Sequence, residues 1–228
     1  LQHINGILRP EKGRVQVKSM IVSAPDTPLR EIIKQVGLVF QNPETQFFST
    51  FVGDEIAYGP KQFNFSDVRS RVREAMAWVG LEFEAYKDRR LETLSGGEKR
   101  KVALASTLIL DPEVLLFDEP TAGMYPSARD DLMALFMRLK DQGKTIVIAS
   151  HRLDELAEVT DRLSLMHQGK VTATGETSEV LFDTAGIVDA GLVPPLAVRL
   201  SQALIKKGWP IAGVDTPTPS LLIKALKE

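Results

Sequence analysis

Residues 94–120 read LSGGEKRKVALASTLILDPEVLLFDEP and place a capped helix directly before an apolar strand. Ser95 and Glu98 have the spacing of a Ser-x-x-Glu capping box, which marks a helix N-terminus when an apolar run follows it. Residues 114–117, VLLF, are wholly apolar, which is typical of a strand that is covered on both faces. We therefore expect a helix over residues 98–110 and a buried strand over residues 114–117.

Two further runs rich in β-branched residues, 36–40 and 145–149, predict strands on either side of this one along the chain. Residues 127–142 have helical periodicity, with Pro126 at the start and Gly143 after the end, where these residue types are favoured. Strands that alternate with helices in this way are typical of a mostly parallel sheet with helices on its faces. The fold class that we predict is therefore α/β.

The C-terminal quarter of the chain is predicted to hold a hairpin and two short helices. Gln168 and Gly169 favour a hairpin turn between two short strands. The predicted segments are the strands 163–166 and 170–174 and the helices 194–207 and 219–227, with a Gly- and Pro-containing stretch over residues 208–217 between the helices. We expect a main domain over residues 1–183 and a small C-terminal extension over residues 184–228.

Charge balance and residue usage exclude several classes of function. The chain has 28 basic and 30 acidic residues, so its net charge of −2 gives no attraction to nucleic acid, and we expect no nucleic-acid partner. It has no cysteine, which excludes disulfides, thiolate metal sites and a cysteine nucleophile. No apolar run approaches the roughly 20 residues that a helix needs to span a bilayer. The chemistry must come from carboxylates, amides, hydroxyls, histidines and the main chain.

The tip of the predicted helix has the features of an anion site. A helix N-terminus presents unpaired N–H groups and the positive end of the helix dipole. Gly96 and Gly97 remove side chains from the first turn, so that an anion can approach the main chain. For Ser-x-x-Glu alone an ordinary cap is the commoner explanation, but the two glycines and the residues described next favour phosphate binding. The candidate binding residues here are Ser95, Gly96, Gly97 and Glu98.

Asp118 and Glu119 follow the apolar strand at its C-terminal end, which in a parallel sheet faces the crevice where ligands bind. Asp118 is placed to hold Mg2+, directly or through water. Glu119 points elsewhere and is a candidate to polarise an attacking water. An isolated Asp-Glu pair after a strand is usually a solvated turn. Its position one helix away from a glycine-rich anion site makes catalysis the better explanation here.

Two more side chains are predicted at the same edge of the sheet. Gln41 follows the strand over residues 36–40 and can reach a metal ion or a water. His151 follows the strand over residues 145–149 and can orient water near a terminal phosphate oxygen. A lone histidine is more often structural than catalytic, and what favours catalysis here is that three neighbouring strands all end in polar residues.

These motifs, in this order and spacing, resemble the nucleotide-binding subunit of ATP-binding cassette (ABC) transporters over about residues 1–182. Residues 94–98 are similar to the family signature, 114–119 to Walker B, Gln41 to the Q-loop and His151 to the switch histidine. The resemblance implies a P-loop NTPase fold with a helical subdomain, about residues 42–110, and ATP and Mg2+ as ligands. It also implies a head-to-tail dimer, in which each ATP touches Ser95, Gly96 and Gly97 of the opposite subunit.

The Walker A string G-x-x-x-x-G-K-[ST], which forms the phosphate-binding loop of this family, occurs nowhere in the 228 residues. Residues 1–8 resemble the helix that follows that loop, and the first residue is Leu1 rather than Met. Two explanations stay open. The chain is a fragment that lacks the N-terminal strands and Walker A, or it is a naturally degenerate subunit that lends its signature motif to a partner. Both predict that this polypeptide alone does not hydrolyse ATP.

Tyr125 stands where the D-loop of the ABC family usually has an aspartate that helps to couple the two sites. This departure fits the asymmetric sites of a heterodimer and tolerated variation equally well. Whether the dimer is a homodimer or a heterodimer therefore stays open, as does the effect of Tyr125.

Residues 41–48, QNPETQFF, resemble the Q-loop of the energy-coupling-factor and cobalt-type ATPases. That resemblance implies an ATP-hydrolysing subunit of a prokaryotic importer of a vitamin or transition-metal ion. Such a subunit is peripheral, at the cytoplasmic face of the cell membrane, and binds an integral membrane coupling subunit and a second ABC ATPase subunit. A non-catalytic subunit and a non-transport ABC protein are the alternatives.

The docking surface for the membrane subunit is predicted close to Gln41. Phe47, Phe48 and Phe51 are candidates for an apolar groove that receives a helix of that subunit, although local core is the commoner explanation for any one of them. Glu55 is a candidate charged contact at the same surface, so we expect charge reversal there, with Phe48→Ala, to weaken assembly while the basal ATPase activity of the intact protein is spared.

Overall fold

The computed structural model describes residues 1–209, 211 and 217–227 of the chain. The chain forms two compact units, Leu1–Ala149 and Ser150–Glu228. The first unit contains a parallel sheet with helices, and the second contains a hairpin with helices. The division after residue 183 that the sequence suggests stays a prediction about domains.

The first unit alternates short strands with helices. Its strands are β1 (Gln16–Val17), β2 (Met20–Ile21), β3 (Val36–Val39), β4 (Val114–Asp118) and β5 (Thr145–Ala149). Its helices are α1 (Leu29–Gln35), α2 (Val52–Gln62), α3 (Val68–Trp78), α4 (Phe83–Tyr86), α5 (Gly96–Leu108) and α6 (Pro126–Asp141), with 3-10 helices at Pro43–Gln46 and Leu91–Thr93. Four of the helices, α2 to α5, lie between β3 and β4, in the segment predicted to form the helical subdomain.

Strands β3, β4 and β5 form a parallel sheet in that order, which confirms the strands and the parallel arrangement predicted from the apolar runs. Val114 of β4 pairs with Val36 on one side and with Thr145 on the other, so the three strands begin level with one another. Since they also run in the same direction, their carboxyl ends lie at one edge of the sheet. At that edge Asp118 pairs with Ala149.

The central strand β4 is covered on both faces, which explains why its sequence is apolar without alternation. Leu115 and Phe117 pack into a cluster with apolar side chains of α2, α3, α5 and α6. Val114 and Leu116, which point the other way, pack into a second cluster with β1, α1 and β3. Each fully buried side chain of this kind contributes roughly 1.5–3 kcal/mol, so β4 anchors the polar residues that follow it.

Helices α5 and α6 confirm the helices predicted on either side of β4. Helix α5 begins at Gly96, two residues before the predicted start, because the Ser95 cap fixes the first turn. Helix α6 begins at Pro126 and ends at Asp141, just before Gly143. Helix α3 precedes the signature motif along the chain.

Residues 1–8 form a series of turns, so the helix expected there is wrong. The amide of Ile4 donates to the carbonyl of Leu1 at 2.8 Å, which is the spacing of a turn. Gly6 has a φ of +77°, which an α-helix does not contain, and a Cβ at Gly6 would lie 2.8 Å from Cδ1 of Ile32. Close packing of this turn against α1 therefore replaces a helical turn.

The second unit contains the hairpin β6 (Arg162–His167) and β7 (Lys170–Glu176). Its helices are α7 (Leu153–Val159), α8 (Thr177–Phe182), α9 (Thr184–Asp189), α10 (Leu196–Lys206) and α11 (Pro219–Ala225). The hairpin confirms the prediction, because Gln168 and Gly169 have φ of 47° and 75°, the positive values that a type I′ turn requires.

Helices α10 and α11 confirm the two helices predicted near the C-terminus. The stretch over residues 208–217 that was predicted to join them lies largely outside the described residues. No helix in the described part of the chain is both long enough and apolar enough to cross a membrane.

Candidate nucleotide-binding and catalytic site

The carboxyl edge of the sheet brings two of the predicted polar segments together. Val39 of β3 pairs with Phe117 of β4, so Gln41, two residues beyond Val39, reaches the level of Glu119. The amide of Glu119 donates to the carbonyl of Ala149 at 2.9 Å, which continues the β4–β5 ladder past the end of β4. Gln41, Asp118 and Glu119 therefore follow adjacent strands at one edge, as the sequence predicts.

Glu119 has a left-handed backbone conformation, with a φ of 43°, which is uncommon for a residue that is not glycine. Its carbonyl accepts a hydrogen bond from the amide of Ala122 at 3.1 Å, which closes the turn after β4. Asp118 is still part of the strand, and both side chains are half-buried. The backbone therefore changes between the two adjacent residues, from extended at Asp118 to left-handed at Glu119.

The N-terminus of α5 is open to solvent at Ser95, Gly96 and Gly97. A Cβ at Gly96 or at Gly97 would meet nothing within 4 Å, so packing within the chain does not explain why glycine occupies these positions. Their effect is to bare the first-turn amides, where an anion can bind. The predicted capping box is confirmed, because the Ser95 hydroxyl accepts from the amide of Glu98 at 3.3 Å and Glu98 accepts from the amide of Ser95 at 2.8 Å.

Glu98 is held by several donors of its own subunit. Its Oε2 accepts from the amide and the hydroxyl of Ser95, both at 2.8 Å, and its Oε1 accepts from the Tyr86 hydroxyl at 2.8 Å and from Arg89 Nη1 at 3.1 Å. The hydrogen bonds from Ser95, and then that from Tyr86, lower the pKa of Glu98 to about 2. The carboxylate is therefore ionised at neutral pH and stabilises the first turn of α5, in the signature motif. Its predicted contact with nucleotide stays a prediction.

His151 lies two residues beyond the end of β5, at the start of the second compact unit. The strand that leads to it ends at Ala149, which pairs with Asp118. The imidazole side chain of His151 is exposed. Its predicted place beside a terminal phosphate stays a prediction.

The chemistry of the donors at the sheet edge fits Mg2+. In the described residues no group of three or more His, Asp or Glu side chains is arranged to hold a metal ion by the protein alone. Mg2+ is usually bound through one or two carboxylates together with substrate phosphates and water. The carboxylate of Asp118 and the amide oxygen of Gln41 are the hard oxygen ligands that such a site needs.

One residue at this site, Arg100, was not predicted from the sequence. It lies on α5 only two positions after Glu98, yet it is buried, with 7% of its surface exposed. Its guanidinium donates to the carbonyls of Gln41, Glu119 and Pro120, the first at 2.7 Å and the second at 3.2 Å. A basic residue on the inward face of an apolar helix was the available signal, but the pattern does not say what it contacts.

A profile of the ABC transporter family matches residues 1–122, more than half of the chain. The chain belongs to the ABC transporter family. The resemblance inferred from the signature, Walker B, Q-loop and switch motifs is thereby confirmed.

Curated relatives and solved structures agree with this membership of the ABC family. The chain is 39% identical over 215 residues to the energy-coupling factor transporter ATP-binding protein EcfA2 of Clostridium tetani. This match covers 93% of this chain and 75% of that protein. It is 32% identical to the solved structure of CbiO1 from Clostridium perfringens, which is described as part of the ABC transporter complex CbiONQ. That match has a TM-score of 0.70 and covers 88% of this chain and 80% of the other.

A more distant structure supports the fold alone. It is a dimeric ATP-binding cassette bound to ADP and phosphate in a post-hydrolysis state, with 22% identity, a TM-score of 0.67 and coverage of 77% of this chain and 78% of that chain. These neighbours confirm the predicted fold class, the P-loop NTPase fold of ABC ATPases with a mostly parallel sheet.

The ABC Q-loop segment has a structure of its own, built by two side chains. Gln46 extends along β3, because its Oε1 accepts from the amide of Phe40 at 3.1 Å and its Nε2 donates to the carbonyl of Leu38 at 3.3 Å. Glu55, at the start of α2, accepts from the amides of Phe48 and Ser49 at 2.9 and 2.8 Å. These bonds fix the turn that follows Gln41.

Glu55 is 5% exposed, so its predicted role as a charged surface contact is wrong. The carboxylate faces the backbone of the loop, and charge reversal there would disturb the loop itself.

The three phenylalanines differ in burial: Phe47 packs against the core, whereas Phe48 and Phe51 are 79% and 40% exposed. Phe48 stacks on Tyr58, which is 45% exposed, with ring centroids 5.6 Å apart. We call the exposed rings of Phe48, Phe51 and Tyr58 the aromatic ledge.

Tyr125, in the D-loop of this ABC protein, occupies the N-cap of α6 and is 83% exposed. Its side chain makes no capping hydrogen bond, and the first turn of α6 has no acidic residue. An aspartate at this position would cap the helix, so the departure from the family pattern has a local structural consequence as well.

Proposed function

We propose that this chain is an ATP-hydrolysing subunit of a prokaryotic ABC importer of the energy-coupling-factor type, which powers uptake of a vitamin or a transition-metal ion. The names of the relatives, an energy-coupling factor ATP-binding protein and a component of CbiONQ, support this subtype. The observation that carries the proposal is the meeting of Gln41, Asp118 and Glu119 at one sheet edge.

The side chains at that edge have separate roles in this proposal. Asp118, with Gln41, would hold Mg2+ when ATP is bound. Mg2+, when bound, neutralises charge on the phosphate oxygens. Glu119 polarises the attacking water, and His151 orients that water. The different backbone conformations of Asp118 and Glu119 support this separation, because one carboxylate cannot serve both purposes at once.

A second ABC ATPase subunit completes the site. In the proposed head-to-tail dimer, Ser95, Gly96 and Gly97 bind the ATP whose other contacts come from the opposite subunit. The open tip of α5 supports this arrangement, because its bare amides are directed to solvent rather than to the chain's own core. Both a homodimer and a heterodimer satisfy this geometry.

The membrane-embedded coupling subunit docks on the aromatic ledge. Phe48 and Phe51 lie a few residues after Gln41, so a short helix seated there would also contact the loop that reaches the catalytic edge. An exposed stacked pair such as Phe48 and Tyr58 suits an apolar helix face. In this proposal the chain is a peripheral subunit at the cytoplasmic face of the membrane.

The proposal is tested with the chain co-expressed with its membrane subunit and a second ATPase subunit. Gly96→Asp places a carboxylate at the open tip of α5, and we expect ATPase activity of the assembled complex to fall by at least about tenfold. Ser70→Asp adds the same charge on an exposed position of α3 and serves as the control, with activity within about twofold of wild type. Full activity of the Gly96→Asp complex, or failure of the wild-type chain to assemble, would contradict the proposal.

A non-catalytic subunit that contributes only its signature motif is the second candidate. The lack of a Walker A string in the 228 residues and Tyr125 in the D-loop favour it. Glu119→Gln separates the two candidates in the same complex. If the chain is catalytic, the substitution abolishes ATP turnover at its site. If the chain is non-catalytic, the ATPase activity of the complex is unchanged. Gly96→Asp lowers activity in both cases.

A further inference from the structure

Arg100 is a buried cation, and its hydrogen-bond acceptors among the described residues are main-chain carbonyls. Nη2 donates to the carbonyl of Gln41 at 2.7 Å, and Nη1 donates to the carbonyls of Glu119, at 3.2 Å, and Pro120. Burial lowers the pKa of the guanidinium, but arginine stays charged at neutral pH. A buried charge is tolerated only when it is well hydrogen-bonded, so the positions of these carbonyls are tied to the side chain.

The three acceptors belong to the ends of two different strands. Gln41 follows β3, whereas Glu119 and Pro120 follow β4. The guanidinium is a planar group with donors at fixed angles and distances, so it sets the spacing between the two strand ends more strictly than a flexible donor would. Arg100 therefore bridges the backbone of the Q-loop glutamine and the backbone of the candidate catalytic glutamate.

The turn at Glu119 is where such support matters most. Its left-handed conformation, with a φ of 43°, is unfavourable for a side chain with a Cβ and persists only where surrounding contacts hold it. Its amide is bound by Ala149 and its carbonyl by Ala122 and Arg100. Of these contacts, the one with Arg100 comes from α5, the helix that begins in the signature motif.

A second contact links the same helix to the Q-loop. Lys99, the residue before Arg100, forms an ion pair with Glu44, which lies in the 3-10 helix three residues after Gln41. Lys99 and Glu44 are 55 residues apart in sequence, and Arg100 and Gln41 are 59 apart. Helix α5 is thus attached to the segment after β3 at two adjacent positions.

We propose that Arg100 is a positioning residue for ATP hydrolysis. Its buried guanidinium keeps Gln41 and Glu119 at a fixed distance from each other and couples both residues to α5, the helix that begins in the signature motif. The proposal rests on the proposed function, in which those two side chains act on the metal ion and the attacking water. A displacement of α5 when its tip binds nucleotide in the opposite site would then reach both residues through a single side chain.

The test uses three variants in the complex with the membrane subunit and the second ATPase subunit. Arg100→Gln removes the charge and the guanidinium, Arg100→Lys keeps the charge but lacks the planar guanidinium, and Lys101→Gln is the matched control. Lys101 is the next residue of α5, carries the same charge and is half-buried. For Arg100→Gln we expect kcat to fall by about 10- to 100-fold while KM for ATP stays within about threefold, because misplaced catalytic groups slow chemistry more than binding.

The conservative variant separates positioning from a general loss of structure. We expect Arg100→Lys to recover part of the lost kcat, and Lys101→Gln to keep kcat within about twofold of wild type. Equal kcat for Arg100→Gln and Lys101→Gln would overturn the proposal. So would a loss in Arg100→Gln that is fully accounted for by a smaller folded fraction, with unchanged kcat per folded molecule.

Hydrogen exchange on the 228-residue chain gives a readout that does not need turnover. We expect amides in peptides spanning residues 39–46 and 117–124 to exchange about tenfold faster in Arg100→Gln than in Lys101→Gln, since local opening at both strand ends becomes easier. Unchanged exchange at either strand end would overturn the bridging role. If the wild-type complex has no ATPase activity, the proposed function fails, while the exchange result still decides whether Arg100 joins the two segments.

Discussion

The buried carboxylate of Glu55 accepts a 2.9 Å hydrogen bond from the amide of Phe48, whose ring is 79% exposed. A second bond, from the amide of Ser49 at 2.8 Å, completes the arrangement. One acid inside the helical region thus fixes the loop that displays an aromatic ring at the surface. The ring and the acid are close in sequence, but they have different roles: one is available to a partner, and the other holds the loop.

Replacing Glu55 should destabilise the protein. Glu55→Lys leaves the amides of Phe48 and Ser49 without their acceptor and places a cation in a buried position. We expect the free energy of unfolding to fall by about 2–4 kcal/mol, since each unsatisfied buried amide costs roughly 1–3 kcal/mol. Urea denaturation followed by circular dichroism measures the change.

Asp54→Asn is the control for that substitution. Asp54 is exposed and pairs with Lys61 at 3.2 Å, so its loss should change stability by less than about 1 kcal/mol. A Glu55→Lys protein as stable as Asp54→Asn would mean that the buried carboxylate does not support the loop.

Removing the Phe48 ring should weaken binding to the membrane subunit without unfolding the chain. Phe48→Ala takes away an exposed ring that contacts Tyr58, so we expect co-purification with the membrane subunit to drop by at least about fivefold, a loss of roughly 1 kcal/mol or more of interface energy. Met137→Ala, which truncates an exposed apolar side chain on α6, is the matched control. Equal recovery of the membrane subunit with both variants would exclude the aromatic ledge as the docking surface.

Glu98 should make stability depend on pH. Its pKa is lowered from 4.5 to about 2 by hydrogen bonds from Ser95 and Tyr86, so the folded state binds fewer protons than the unfolded state between these pH values. The stabilisation is present above about pH 4.5 and is lost as the pH falls toward 2. We expect Glu98→Gln to be less stable than wild type by about 1–3 kcal/mol at pH 7, with the difference shrinking below pH 4.

Urea denaturation of wild type and Glu98→Gln at several pH values between 7 and 3 measures this effect. Glu92→Gln is the comparison, because Glu92 is exposed and forms a surface ion pair with Arg90 at 2.7 Å. A gap between wild type and Glu98→Gln that stays constant from pH 7 to pH 3 would be inconsistent with an ionised, hydrogen-bonded Glu98.

An aspartate in place of Tyr125 should stabilise α6. Tyr125 is the N-cap and makes no capping bond, whereas an aspartate accepts from the first-turn amides and interacts favourably with the helix dipole. We expect Tyr125→Asp to raise the free energy of unfolding by about 0.5–1 kcal/mol, measured by urea denaturation. Tyr125→Ala offers no cap and should give no gain. A destabilised Tyr125→Asp protein would show that the ring has a structural role that its exposure does not reveal.

The isolated 228-residue chain should hydrolyse no ATP. The Walker A lysine, hydroxyl and amide cradle are not among its residues, so the terminal phosphates have no binding loop within it. A phosphate-release assay on the purified chain, with Glu119→Gln as the control for contaminating ATPase, measures this. Turnover that disappears in the Glu119→Gln chain would contradict the prediction.

Several features of this fold followed from short stretches of sequence. The strand β4 could be predicted because four consecutive apolar residues are typical of a strand that is covered on both faces. The cap of α5 could be predicted because Ser95 and Glu98 contact each other within a single turn. Such features depend on neighbours one to four residues away, and the sequence contains those neighbours explicitly.

Two features depended on the tertiary structure. Arg100 bridges Gln41 and Glu119, and Glu55 supports the loop that carries Phe48. The identity of a charged residue does not show whether its side chain faces water or the interior. Only the packing of other elements over the residue decides whether it is buried. Arg100 meets Gln41 across 59 residues, and Glu55 is buried because its helix packs into the main core. Local pattern therefore determined which strands and caps form, whereas packing decided which charges are buried and what they hold in place, because burial is set by distant parts of the chain.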